Sequence, residues 1–230
     1  MDWREKYLNK VTCGDCLELM RGLPDKCVDA VITDFPYGVG YNYNTYDDTT
    51  DNLKHLIDSV LPEMMRVSTV VLFSCGNRNQ YMYPTPSWTL AWVEMAGVGS
   101  TEWGFSCWQP LLAYGKDPYL ANCMGRRPDT YIGTGCGTSN KEHPCAKPIE
   151  IMKWMINRAT VSVNTIILDP FLGSGTTAVA AIRTGRQFIG FEIDDTYCTL
   201  ARKRIADELA QIKIPFQEQY IPEQEKLSLE

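Results

Sequence analysis

The chain has 230 residues, enough for one domain whose core covers roughly 70% of its unfolded surface, so neither disulfides nor a metal is needed to hold it. A formal charge of −6 argues against a protein that simply coats nucleic acid. The nine cysteines are scattered through apolar segments, and no leader peptide or membrane-length apolar run is evident. These features predict a soluble protein of a reducing compartment, the cytoplasm of a prokaryotic or virus-infected cell, with no membrane partner.

In chain order, the first strong apolar run is "VDAVIT" (28–33), which continues into "DFPYGVGY". Leu53, Leu56, Ile57, Val60, Leu61 and Met64 follow helical spacing, with Pro62 expected to kink or shorten that helix. "TVVLFSC" (69–75) is a second strand, and "WGFSCWQPLLAY" (103–114) reads as an antiparallel pair at one sheet edge. From 115 to 142 the periodicity gives way to Gly, Pro, Asn and Thr, a long loop of the kind that carries function. Ile149, Met152, Met155 and Ile156 mark a helix before the strand "TIILDP" (165–170), and "RQFIGFEI" (186–193) is the next strand. Tyr197, Leu200, Ala201, Ile205, Leu209 and Ile212 mark the last helix. Continuous, β-branched strands alternating with helices predict an α/β sandwich on a mostly parallel sheet. The expected organisation is one domain over 1–215, with a 115–142 insertion and a loose tail over 216–230.

Chemistry concentrates in two places. In "ILDPFLGSGTTAVAA" a strand ends at Asp169, glycines 173 and 175 form a turn, and Thr176 opens a helix. Such glycines let backbone approach a ligand, and the helix start offers unpaired N–H groups. The following strand ends in Glu192, 17 residues after Gly175, where an acid can accept hydrogen bonds from ribose hydroxyls. The turn lacks the lysine of a P-loop, which argues against a nucleotide triphosphatase. Cys13 and Cys16 form a lone C-x-x-C without a second pair at zinc spacing, and no metal is expected. The second place is the acid at the end of the first strand, Asp34.

"DFPYGVGY", "EHPCAKPIE", "DPFLGSGTT" and "FIGFEID", in that order, resemble the β class of amino-methylating DNA methyltransferases that use S-adenosylmethionine. In that class the catalytic motif precedes the cofactor motif, a circular permutation, and a recognition segment lies between. The resemblance spans residues 11 to about 206 and implies a Rossmann-like methyltransferase sandwich. It further implies a catalytic loop of Asp34, Phe35, Pro36 and Tyr37. The Asp34 carboxylate and Phe35 carbonyl would accept the amine hydrogens of a base flipped out of DNA, and Tyr37 would stack on that base. The cofactor would be held by Phe171, Gly173, Ser174, Gly175 and Thr176 around its methionine part, with Asp169 as a further cofactor-binding residue. Glu192 would take the ribose, Asp15 and Cys16 would lie near the adenine, and His143 and Lys147 would bind the carboxylate. Cys145 and Ala146 depart from the family's usual Thr and Gln.

Within the recognition segment, Arg126 and Arg127 are the foremost candidates for phosphate or guanine contacts, with Lys116 and Lys141 as backbone contacts. So short a segment points to a short DNA site or help from a second copy of the chain. Tyr41, Tyr43 and Tyr46 read as surface aromatics or as a flap over the site. Trp88, Trp92, Trp103 and Trp108 read as core or edge packing. Aspartate at the loop's first position is commoner among adenine-N6 enzymes, which makes adenine the expected target and cytosine-N4 the alternative. Phe35 stands where the family usually has proline. It raises a third reading, a cofactor-binding DNA-recognition protein with little catalysis, although Phe35→Pro is expected to be tolerated because Pro36 still keeps residue 35 extended. An RNA substrate is less expected, since nothing resembles an added RNA module.

Overall fold

The structure is a computed structural model and describes residues 2–43, 45–94, 97, 99–133 and 147–213. Helix α1 (Trp3–Tyr7), β1 (Lys10–Cys13) and α2 (Cys16–Arg21) lead into β2 (Val28–Asp34), which α3 (Thr50–Val67) connects to β3 (Ser68–Ser74). Next come β4 (Trp88–Glu94), the hairpin strands β5 (Gly99–Thr101) and β6 (Gly104–Ser106), β7 (Trp108–Gly115), the short α4 (Pro118–Ala121) and β8 (Thr130–Gly133). Then follow α5 (Ile149–Ala159), β9 (Ile166–Asp169), α6 (Thr176–Arg183), β10 (Gln187–Glu192) and α7 (Asp195–Lys213).

The main sheet has the order β1-β10-β9-β2-β3-β7-β4-β8. The first five strands run parallel; β7 is antiparallel to both β3 and β4, and β8 is parallel to β4. Because strand side chains alternate between faces, continuous apolar runs feed two cores. Val31, Val71, Phe73, Leu168, Ile189 and Phe191 pack on the face covered by α2 and α3. Ala30, Ile32, Leu72, Ile167 and Phe188 pack on the face covered by α5, α6 and α7. The mostly parallel α/β sandwich expected from the sequence is the fold observed.

Several local expectations change. Helix α3 runs on to Val67 with Pro62 inside it, so the proline does not shorten it. Its buried stripe of Leu53, Ile57, Val60, Leu61 and Met64 holds the helix against the sheet despite the missing N–H. Residues 103–114 do not form one antiparallel pair at an edge: β7 lies inside the main sheet, and β6 pairs with β5 in a separate hairpin. Strands β1, β4 and β8 had not stood out in the sequence, being short or amphipathic. Of the four tryptophans, Trp92 is buried, Trp88 and Trp108 are exposed in part, and Trp103 projects fully into solvent. The expected tail lies outside the described residues. Among the described residues no helix is long and apolar enough to cross a membrane.

Candidate active site

The parallel strands β10, β9, β2 and β3 end on one edge of the sheet, and that rim carries the chemistry. Asp34 is the last residue of β2, opposite Ser74 of β3. Its Oδ1 accepts hydrogen bonds from Ser74 Oγ at 2.5 Å and from the Tyr37 hydroxyl at 2.8 Å. Its Oδ2 lies 3.3 Å from Lys147 Nζ. The carboxylate is therefore fixed in orientation while a third of its side chain stays accessible. Burial, then the Asp34 charge, push the Tyr37 phenol well above its ordinary range, so it remains a donor. The Lys147 ammonium also sits over the Tyr37 ring, 4.8 Å from its centroid. It thus covers both the acid and the ring that the sequence assigned to an incoming base.

Phe35 turns the other way. It is 1% exposed, and its ring meets Phe73, Tyr83 and Phe171 at centroid distances of 5.2, 5.5 and 5.0 Å. Its N–H donates to the Ser74 carbonyl at 3.1 Å. The ring is a core anchor that ties the loop after β2 to the glycine-turn residue Phe171. These contacts argue against proline being tolerated here, since proline removes both the ring and the donor. Beyond Pro36, the buried carboxylate of Asp48 accepts from the N–H groups of Gly38, Val39 and Tyr41 at 2.8, 3.0 and 3.1 Å. Asp48 had no signal in the sequence, because only the folded loop brings those amides to it.

On the glycine-turn side, Asp169 is buried: its Oδ1 accepts from the Thr33 hydroxyl at 2.5 Å and the Phe171 N–H at 2.9 Å. Burial pushes its pKa up to about 6. Gly173 and Gly175 have φ of 53° and 89°, the left-handed region that favours glycine. A Cβ on Gly175 would lie 3.2 Å from the Ala201 backbone. Glu192 accepts from the N–H groups of Gly173 at 2.7 Å and Asp194 at 2.9 Å, and burial raises its pKa. Asp15 caps α2 by accepting from the Glu18 N–H at 3.0 Å. Arg204, unforeseen from the sequence, donates to the Ser174 carbonyl at 2.7 Å and hydroxyl at 2.6 Å, which stiffens the turn.

A single cavity joins the two halves. Its walls include Asp15, Cys16, Glu192 and the turn 170–174 at one end, and Asp34, Pro36 and Lys147 at the other. Tyr43 and Tyr46 line it as well, so the aromatic segment after the catalytic loop borders the site and is not mere surface. The Tyr46 hydroxyl is buried without a hydrogen-bond partner, and burial with nearby Asp48 and Asp47 pushes its pKa up to about 12. Asp169 and Gly175 are not among the wall residues; they support the turn from behind.

The cationic residues assigned to DNA lie elsewhere. Lys116, Arg126 and Arg127 line a second cavity that runs along one sheet face from Val70 of β3 and Trp88 of β4 to Leu72 and Leu90. From Val70 to Ser74 is four strand residues, about 13 Å. Arg127 is also spent on structure: it donates to the carbonyls of Asn157 at 2.7 Å and Arg158 at 2.5 Å, pairs with Asp117 at 3.6 Å and stacks on Tyr119. Arg158 bonds the same Asp117 carboxylate. Lys141, His143, Cys145 and Ala146 fall outside the described residues. Cys13 and Cys16 remain thiols, and burial raises the pKa of both.

A parallel sheet whose neighbouring strands end in Asp34, a glycine turn and Glu192 around one cavity defines a Rossmann-like methyltransferase fold. Residues 91–203 match the DNA methylase family. The DNA adenine methyltransferase YhdJ of Escherichia coli is 24% identical over 87% of this chain and 86% of its own length. The crystal structure of the M1.HpyAVI–SAM complex superposes with a TM-score of 0.60 at 22% identity, covering 85% of this chain and 98% of that one. The cytosine-N4-specific PvuII DNA methyltransferase gives 0.61 at 15% identity, over 88% and 91% of the two chains. Through residues 91–203 the chain is thus similar to the N6/N4 DNA methylases, and it shares the fold of the solved methyltransferases.

Proposed function

We propose that the protein transfers a methyl group from S-adenosylmethionine to the exocyclic N6 amine of an adenine flipped out of DNA. The observation that carries this reading is the position of Lys147 Nζ, a nitrogen donor 3.3 Å from Asp34 Oδ2 and over the Tyr37 ring. An amine entering there takes the place of the ammonium, donating one hydrogen to Asp34 and another to the Phe35 carbonyl. Two acceptors draw the nitrogen lone pair out of conjugation with the base. The Tyr37 ring face uncovered by the lysine becomes a stacking surface. Ser74 and Tyr37 hold Asp34 Oδ1, so only Oδ2 turns toward the amine.

The cavity residues suit S-adenosylmethionine. Glu192 retains lone pairs for ribose hydroxyls, Tyr46 offers a buried hydroxyl that lacks a partner, and Lys147 is within reach of a carboxylate. When bound, that cofactor supplies an electrophilic methyl on a sulfonium. Phe171 and the Arg204-braced turn fix its distance from Asp34. Phe35 does not argue for a non-catalytic protein, because its ring packs into the core and leaves the cavity.

Cytosine-N4 methylation is the second reading, favoured by the likeness to the PvuII enzyme. Either amine makes the same hydrogen bonds to Asp34, and adenine rests on the aspartate at the head of the loop. Incubation with unmethylated genomic DNA and S-adenosylmethionine, followed by digestion to nucleosides and mass analysis, decides between them. N6-methyladenine is expected. A pure N4-methylcytosine product overturns the adenine assignment, and no methylated nucleoside at all overturns methyl transfer to DNA.

A further inference from the structure

Strand β7 runs antiparallel to β3, so its first residues rise at the rim where Asp34 sits. Leu111 pairs with Ser74, and Trp108 lies three residues further out, about 10 Å beyond the carboxylate's level. The β5–β6 hairpin stands above that point. Thr101 pairs with Gly104, which leaves Glu102 and Trp103 as its two-residue tip. Trp103 is 99% exposed and Phe105 81%, the one at the tip and the other on the following strand. Beside the hairpin, the turn after β3 presents the exposed Arg78 and Tyr81, the latter 86% exposed.

These two exposed pieces are tied to each other and to the catalytic loop. Asn77 Nδ2 donates to Ser106 Oγ at 3.0 Å and the Trp108 carbonyl at 2.9 Å, at the root of the hairpin. Two residues on, Asn79 Nδ2 donates to the Tyr37 carbonyl at 2.7 Å. A short hydrogen-bonded strap thus fixes an aromatic-tipped hairpin relative to the pocket that would receive a base. Neighbouring exposed aromatics beside a site form the kind of apolar patch that marks an interaction surface. Glu102 at the tip makes a phosphate grip unsuitable there, whereas a flat ring suits a π-face, and Arg78 near the root offers one cation to the flanking backbone.

We propose that Trp103 and Phe105 wedge against the base stack of duplex DNA next to the extruded base, holding open the gap that flipping leaves. This rests on the DNA methyl-transfer reading above and names the surface that engages the duplex. Apolar side chains inserted at a base step stabilise an unstacked duplex by the same means.

The test compares wild type, the Trp103→Ala/Phe105→Ala double variant and Trp103→Phe for methyl incorporation into native genomic duplex DNA. The apparent KM for S-adenosylmethionine and the sedimentation behaviour are measured alongside. The double variant is expected to lose about 10- to 100-fold in kcat/KM for DNA, the range for one or two lost aromatic–base contacts. Its cofactor KM should be unchanged, and Trp103→Phe should stay within about threefold of wild type, as a surviving ring still stacks. Activity of the double variant within twofold of wild type overturns the proposal. So does a loss accompanied by dissociation of a dimer, which would assign the hairpin to a second copy, or one in which the cofactor KM shifts in parallel. A wild-type protein that methylates no DNA would instead refute the underlying functional reading.

Discussion

Replacing Phe35 with proline restores the residue usual in the family but removes what this fold has built around the phenyl ring. The ring is 1% exposed and contacts Phe73, Tyr83 and Phe171. Truncating a buried phenylalanine to alanine costs about 3–5 kcal/mol, and proline retains only part of the lost volume. Proline also deletes the N–H that donates to the Ser74 carbonyl, leaving that acceptor short of a partner at a further cost of about 1–3 kcal/mol. Together these give a destabilisation of about 4–6 kcal/mol. For a chain of this size each kcal/mol lowers Tm by about 2–4 °C, so Phe35→Pro should melt about 10–20 °C below wild type. Thermal unfolding followed by circular dichroism measures this directly. Phe35→Leu, which keeps the amide and most of the volume, serves as the control and should lose less than half as much. Because Phe171 leans on the same ring, the proline variant should also raise the KM for S-adenosylmethionine. A proline variant melting within about 3 °C of wild type would refute the reasoning, since it would mean that neither the ring nor the amide is holding the loop.

Three further outcomes follow from the geometry. Tyr46→Phe removes a buried hydroxyl that has no protein partner, so unfolding stability should stay level or rise slightly while cofactor affinity, read by titration calorimetry, falls about 5- to 10-fold. Asp169, whose pKa is raised to about 6 by burial, holds its proton in the folded state over a range where the unfolded chain has already released it. Stability from this group therefore falls as pH rises from about 4 to about 6. Asp169→Asn should flatten that part of the pH–stability curve and gain about 1–3 kcal/mol at pH 8, measured by urea unfolding at both ends. Arg127→Ala should cost about 1–3 kcal/mol in stability through the lost carbonyl bonds, with the apparent KM for DNA and its salt dependence unchanged. A flattened salt dependence would return Arg127 to the DNA interface.

The central sheet was legible because buried parallel strands are continuous apolar runs, and β2, β3, β9 and β10 each carry one. Strand β1, only four residues long, and β4, which mixes buried Leu90, Trp92 and Glu94 with exposed Trp88 and Thr89, carry no such run. The site was legible in its acids and glycines, since a turn of positive φ leaves a glycine in the sequence. Its second layer was not: Ser74, Asp48, Asn79 and Arg204 act through hydrogen bonds closed only by folding, between residues 10 to 42 positions apart.

The same distinction bears on where the two arginines lie. Arg126 and Arg127 lie in the segment between the two motifs, and nearness in sequence suggested nearness to DNA. Yet β7 carries the chain down from the rim before that segment begins, so α4 and the two arginines line the cavity that runs along one sheet face from Val70 of β3 and Trp88 of β4. The same reversal raises the stretch before β7 to the rim, with Trp103 and Phe105 on it. An antiparallel strand inserted in a parallel sheet thus separates the two candidates: Arg127 braces the end of α5, and the chain before β7, which carries the aromatic hairpin, lies on the rim side of Asp34. Strand direction, which a single sequence does not encode residue by residue, decides which exposed side chains can meet the substrate.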